Sequence, residues 1–189
     1  NAGSDQFVCP GSSVNIGTTS TSGYAYNWSS SPTGFSSTAS NPSVSPAVKT
    51  TYYLKVTNSA TGCVNYDTSV VDLNTLPTAN AGKDATICFG SSVTIGSTAT
   101  SGYSYSWSSS PTGYSSTSSN PSVSPTTSTS YYLSVTNSTT GCKNNDTVVV
   151  NVNALPVADA GPDKNVCTNY TGKTSIGTTG ISGNTYSWT

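Results

Sequence analysis

Apolar residues alternate with polar ones in short bursts along this chain, and Gly, Pro, Asn or Ser closes each burst. A period of two residues predicts half-buried β-strands. In the middle of the chain, Asp84–Cys88 reads as a first strand. Ser92–Gly96 reads as a second, with Val93 and Ile95 inward. Tyr103–Trp107 is a third, with Tyr103, Tyr105 and Trp107 on one face and serines on the other. After the turn Ser110-Pro111-Thr112-Gly113 comes a loose Ser-rich stretch, then a short strand around Val123 that Pro125 closes, as suits a strand end. The last pair is a hairpin. Ser130–Asn137 points Tyr131, Leu133 and Val135 inward, Thr140-Gly141 turns, and Asp146–Asn153 points Val148, Val150 and Val152 inward. No segment has apolar residues at the helical period, and helix formers are scarce.

The same bursts recur. Sliding the chain by 79 positions lays Asn1 on Asn80, Cys9 on Cys88, Trp28 on Trp107 and Cys63 on Cys142. The pattern is a tandem array: a first repeat over 1–79, a second over 80–158, and the first strands of a third over 159–189. The third keeps Ala160, Gly161, Asp163 and Cys167 in phase, gains two residues around Tyr170, and breaks off after Trp188. Such a partial repeat cannot close a core, so either the sequence continues or another chain supplies the missing strands. Seven short strands fit each complete repeat.

Composition removes whole classes of function. Charged residues are 7% of the chain, with no His, Arg, Glu or Met. There is no imidazole base and no guanidinium clamp for phosphate. The formal charge of -1 gives no electrostatic footprint for nucleic acid or an anionic membrane. No run of 18 apolar residues offers to span a bilayer, so neither nucleic-acid binding nor membrane insertion is expected. The seven Asp residues are spread singly among turns and strand ends, so no catalytic residue, cofactor site or metal site is assigned and the chain reads as a non-enzyme. More than a third of the residues are Ser or Thr. A surface so poor in charge needs covalent glycan or burial in an assembly to remain dispersed.

The run Leu155-Pro156-Val157-Ala158-Asp159-Ala160-Gly161-Pro162-Asp163 joins Val93-Thr94-Ile95, Tyr105-Ser106-Trp107, Asn120-Pro121-Ser122-Val123-Ser124-Pro125, Tyr131-Tyr132-Leu133-Ser134-Val135-Thr136-Asn137 and Gly141-Cys142 in one pattern. That pattern resembles the PKD/Ig-like repeats of large secreted bacterial surface proteins of the adhesin, gliding-associated or filament type. It departs after the strand Trp, where PKD domains continue into an acidic, Gly-containing turn and this chain has Ser108-Ser109-Ser110-Pro111. The resemblance implies an all-β chain of tandem Ig/PKD-like antiparallel β-sandwiches arranged head to tail, secreted to the cell surface. It implies a spacer, adhesive or filament-building role, with the chain itself as partner through tandem or polymer packing.

In that setting Cys9, Cys63, Cys88, Cys142 and Cys167 read as disulfide cysteines, since neither CxxC spacing nor His points to metal. Pairing within a repeat joins Cys9 to Cys63 and Cys88 to Cys142, and each loop so closed is worth roughly 4 kcal/mol in the chain-entropy model. Strand parity opposes it. In an Ig-like sandwich the turn after the first strand and the turn between the last two lie at opposite ends, beyond disulfide reach. Stapling between repeats instead brings Cys9 to Cys142 and leaves Cys63 and Cys167 for neighbouring repeats. Both pairings stand at this stage.

Other candidates have plain readings beside them. Tyr24, Tyr26 and Trp28, like Tyr103, Tyr105 and Trp107, could stack on sugars, but one shared strand face makes them core. Tyr53 and Tyr132 point the other way and are the candidate surface contacts, either for packing or for recognising polysaccharide or another cell. Asp5, Asp84 and Asp163 near the repeat junctions read as turn caps rather than calcium ligands, because each site has one carboxylate. Lysines do not recur, Lys49 and Lys55 being Ser128 and Ser134 in the second repeat, which discounts isopeptide cross-links. Asn27, Asn137, Asn145 and Asn169 lie in Asn-x-Ser/Thr sequons. Thr147, in Asp146-Thr147-Val148, resembles a short O-glycosylation pattern of related bacteria.

Overall fold

The computed structural model describes residues 1–167, 169 and 171–188. The first repeat contributes β1 (Gln6–Val8), β2 (Val14–Asn15), β3 (Tyr24–Ser31), β4 (Ser36–Ser37), β5 (Ser43–Val44), β6 (Thr50–Asn58) and β7 (Val64–Leu73). The second contributes β8 (Ala85–Cys88), β9 (Val93–Thr94), β10 (Tyr103–Ser110), β11 (Ser115–Ser116), β12 (Ser122–Val123), β13 (Thr129–Asn137) and β14 (Lys143–Asn153). Each set forms a five-stranded sheet, in the orders β1-β7-β6-β3-β4 and β8-β14-β13-β10-β11. Each is faced by a two-stranded ladder, β2 with β5 and β9 with β12. The architecture is an Ig-like β-sandwich, made twice.

The alternation explains the layering. On β13, Tyr131, Leu133 and Val135 are buried while Tyr132 between them is exposed. Val148 and Val150 of β14 bury the neighbouring positions, and Ile95 and Val123 close the core from the small sheet. Trp28 and Trp107 lie at the centre, 1% and 2% exposed. Each indole N–H is satisfied by a loop carbonyl, Ala39 O or Ser118 O, at 2.9 Å, as a buried Trp requires. Gly17 and Gly96, at φ +84° in both cases, let the backbone pass under the indole where no Cβ would fit.

The edge strands depart from a purely antiparallel pattern. β1 runs parallel to β7, with Val8 opposite Leu73, and β8 runs parallel to β14, with Cys88 opposite Asn153. Asp5 and Asp84 enforce this edge. Their Oδ1 atoms accept the backbone N–H of Val70 and Val149 at 2.9 Å, so these carboxylates cap a neighbouring strand. β4 and β11 arise in the loose Ser-rich stretch, where polyserine carries no alternation to announce a strand. Among the described residues of 159–188 there is no strand, contrary to the expected first strands of a third repeat. In the complete repeats those strands pair with β6 and β7 or with β13 and β14, and lone strands do not persist in water. Gly177 N–H still reaches Ala160 O at 2.9 Å, as Gly96 reaches Ala81.

Candidate functional site

The junction between the repeats holds the most structured candidate. Because β1 and β7 are parallel, Cys9 follows Val8 at the end of the sheet where β7 finishes, whereas Cys63 precedes Val64 where β7 begins. Ten residues of strand separate those ends, roughly 33 Å at 3.3 Å per residue. The disulfide accordingly joins Cys9 to Cys142, across 133 positions and between repeats, with a Cα–Cα distance of 5.4 Å. Cys63, Cys88 and Cys167 carry free, exposed thiols.

The connector between the repeats packs into the second one. Pro77 is fully buried, and its carbonyl accepts the Nδ2–H of Asn144 at 3.0 Å. Ala79 packs on the second core, and the buried Ala81 donates its N–H to Asp146 Oδ2 at 2.8 Å. With this cover, Val135 and Cys142 are each 1% exposed. In the first repeat the positions equivalent to Pro77 and Ala79 would precede Asn1. At the corresponding end of that repeat Asn1, Tyr24, Val56, Asn65, Tyr66 and Asp67 line an open groove of about 420 Å³. Tyr24, expected in the core, is exposed there. The Asp67 carboxyl is held below its ordinary value, first by accepting the Ala2 N–H and then that of Thr68.

A second candidate is the outer face of each large sheet. Tyr53 and Tyr132 stand there, 45% and 44% exposed. Tyr132 borders a shallow groove of about 380 Å³ with Ser106, Ser108, Ser134, Asn145 and Thr147. Tyr132 lies directly opposite Thr147 in the ladder, and Tyr53 opposite Thr68. Asn145 and Thr147 are therefore exposed beside the aromatic ring, and Asn27 is exposed on β3. Asn137 is half-buried, and its Oδ1 accepts the N–H groups of Thr139 and Thr140 to form the hairpin turn. Asn169 is exposed in a turn. Among the described residues, no group of three or more His, Cys, Asp or Glu could hold a metal ion, and no helix is long and apolar enough to cross a membrane.

The sequence pointed to the cysteines and to the two tyrosines, but not to the groove on the first repeat. A signal was present: Tyr66 of the first repeat is Asn145 in the second, an aromatic residue at a position otherwise polar.

Comparison with known proteins agrees with this architecture. Residues 75–156, the connector and the whole second sandwich, match the family model described as an Ig-like domain, CHU_C associated. No curated protein matches. Among solved structures, the fibronectin(III)-like modules of Clostridium thermocellum CbhA are 14% identical, covering 79% of this chain and 90% of theirs, with a TM-score of 0.36. A chimeric titin Z1Z2-Z1Z2 tandem is 16% identical over 80% of this chain and 96% of its own, with a TM-score of 0.34. The three N-terminal domains of the Hoc capsid protein of bacteriophage RB49 are 13% identical over 76% of this chain and 55% of that one, with a TM-score of 0.36. The second sandwich of this chain is thus similar in sequence to the Ig-like domains described as CHU_C associated.

Proposed function

We propose that the chain is part of an extracellular structural glycoprotein, the repeating rod of a cell-surface filament or adhesin stalk. The observation that carries this reading is the Cys9–Cys142 disulfide. It lies between repeats, where it locks the angle of one sandwich against the next. It also argues for an oxidising compartment outside the cytosol. The hydroxyl-rich faces around Tyr53 and Tyr132 remain free for glycan at Asn27, Asn145 or Thr147 and for lateral packing between rods. The test is electron microscopy of native surface material labelled through this chain. We expect labelled filaments with an axial period of one or two repeats, or thin strings ending at the cell surface. Label confined to dispersed globular particles would sink the proposal.

A second reading, recognition of polysaccharide or of another cell's surface through avidity, is favoured by the groove beside Tyr132. Salt-insensitive retention on insoluble polysaccharide that is lost in Tyr53→Ala/Tyr132→Ala would select it.

A further inference from the structure

We propose that each sandwich carries a binding site for a neutral saccharide, in a groove between the β3–β4 and β5–β6 loops of the first repeat and between the β10–β11 and β12–β13 loops of the second. The site is separate from the outer sheet face around Tyr53 and Tyr132, and it stands independently of both readings above. Its basis is a hollow that the chain builds twice from equivalent residues.

The two grooves hold about 370 and 420 Å³, at the small end of the roughly 300–1,000 Å³ typical of ligand sites. Every residue lining one lines the other after a shift of 79 positions. The first lies at the end of the sheet where β7 finishes, since Thr50 in its floor pairs with Val71. First-repeat residues alone line it, and it stays open although the complete second sandwich follows. A hollow kept by both copies is a product of the fold rather than of one chance arrangement of surface side chains.

Both walls are held in place by buried side chains. Ser30 Oγ donates to Pro32 O at 2.7 Å and accepts the Phe35 N–H at 3.2 Å. Ser109 makes the same pair with Pro111 O and the Tyr114 N–H, at 2.6 and 3.3 Å. On the opposite wall Thr50 Oγ1 donates to Val48 O and Thr129 Oγ1 to Thr127 O, both at 2.8 Å. Phe35 packs edge to face on Tyr52, and Tyr114 on Tyr131, with ring centroids 5.2 Å apart in each pair. Tyr52 and Tyr131 are buried, so the half-buried Phe35 and Tyr114 are the rings that the grooves expose. Walls fixed before a ligand arrives spare the cost of ordering them on binding.

The lining selects the ligand class. No charged side chain among the described residues lines either groove, so an ionic ligand finds no counter-charge. Beside the ring stand exposed hydroxyls, those of Thr33, Ser43 and Ser45 in the first groove and of Thr112, Ser122 and Ser124 in the second. A pyranose matches both features: its C–H face packs on an aromatic ring, and its hydroxyls exchange hydrogen bonds with Ser and Thr. Three lining positions differ between the copies, Phe35, Ala47 and Val48 becoming Tyr114, Thr126 and Thr127. Each change adds a hydroxyl, so the second site binds a fully hydroxylated sugar more tightly than the first.

The test is amide-shift mapping by NMR of the nitrogen-15-labelled chain, titrated with soluble cello-, malto-, xylo- and manno-oligosaccharides and, separately, with poly-L-proline. We expect saturable sugar-induced shifts at Gly34 and Val48 and at Gly113 and Thr127. Val48→Trp/Thr127→Trp, at two exposed positions, fills both grooves and should weaken binding at least ten-fold at an unchanged melting temperature. Thr126→Ala/Thr127→Val installs residues that the first repeat already carries and should bring the second site down to the affinity of the first. Retention on insoluble neutral polysaccharide, or on beads bearing glycans released from native surface material, supports the site and tells free polysaccharide from protein-linked glycan as its source. Three results would overturn the proposal: shifts confined to the outer sheet around Tyr53 and Tyr132, shifts with poly-L-proline alone, or no shift with any of the sugars. Those results would leave the rod reading standing, because it is judged on native filaments.

Discussion

Stretching the chain by its two ends tests whether load passes through the inter-repeat disulfide. Force applied at Asn1 travels along β1 to Cys9, crosses to Cys142 and leaves through β14. The chain between the two cysteines spans 133 positions and is bypassed. At 3.3–3.6 Å per residue the bypassed segment represents about 450 Å of contour length that cannot extend while the bond is intact. The bond also raises the cost of opening the first sandwich alone. With the second repeat folded, the segment from Cys9 to Ala81 stays a closed loop of about 70 residues, which the chain-entropy model values at roughly 4 kcal/mol. The assay is single-molecule force extension with and without a phosphine reductant. Without reductant, traces should lack the 450 Å. With it, two unfolding events should appear, each releasing about 270 Å, one repeat's length. Release of the full contour from the non-reduced chain would refute this load path and, with it, the mechanical role assigned to the junction.

Four further substitutions probe the sandwiches. Gly96→Ala places a Cβ against the Ser119 carbonyl and 3.0 Å from the Trp107 ring at φ +84°, and should lower stability in urea by at least about 2 kcal/mol. Gly102→Ala, at φ +81° but in open space, should cost only about 1 kcal/mol; equal losses would contradict the packing account. Trp107→Ala empties the centre of the second core and should cost about 3–5 kcal/mol, read by calorimetry as loss of one of two transitions in the reduced protein. Asp67 and Asp72 are both held below the ordinary carboxylate value of 3.8, Asp67 chiefly by the Ala2 N–H and Asp72 chiefly by the Lys49 ammonium 2.9 Å away. Depressed folded-state values mean stability that is present above pH 3.8 and lost as pH falls through the lower folded value. Urea midpoints of the native chain should therefore fall below pH 3.8, and Asp67→Asn should flatten that fall; an unchanged profile would exclude the Ala2 contact as its source.

Much of this architecture was legible in the sequence because a two-residue period is a direct imprint of a half-buried strand. Tyr131, Leu133 and Val135 alternate with Tyr132 and Ser134, and burial follows that alternation. Strand parity argued against pairing Cys9 with Cys63, but the sequence left both pairings open, and the structure decides for Cys9–Cys142. Pairing partners were harder to read. The parallel register of β1 on β7 depends on Asp5 reaching the Val70 N–H, a contact 65 positions apart that no local pattern encodes. The strands β4 and β11 lie in runs of serine, where burial and exposure look alike in sequence.

The position of the disulfide distinguishes what needs reinforcement from what does not. Each sandwich already buries an indole with its N–H satisfied, two inward valines or their equivalents on the last strand, and a two-stranded lid. A bond within such a domain would add stability to a core that is already closed. The connector is the weaker element, since Pro77, Ala79 and Ala81 supply only a narrow strip of contact to the second repeat. A hinge of that width would let tandem domains swing against one another. The covalent bond joins Cys9, which follows Val8 where Val8 O accepts the Asn74 N–H, to Cys142, two residues from the Asn144 that holds Pro77, and so adds a second attachment beside the connector. The chain thus places its strongest bond where the backbone alone leaves the most freedom.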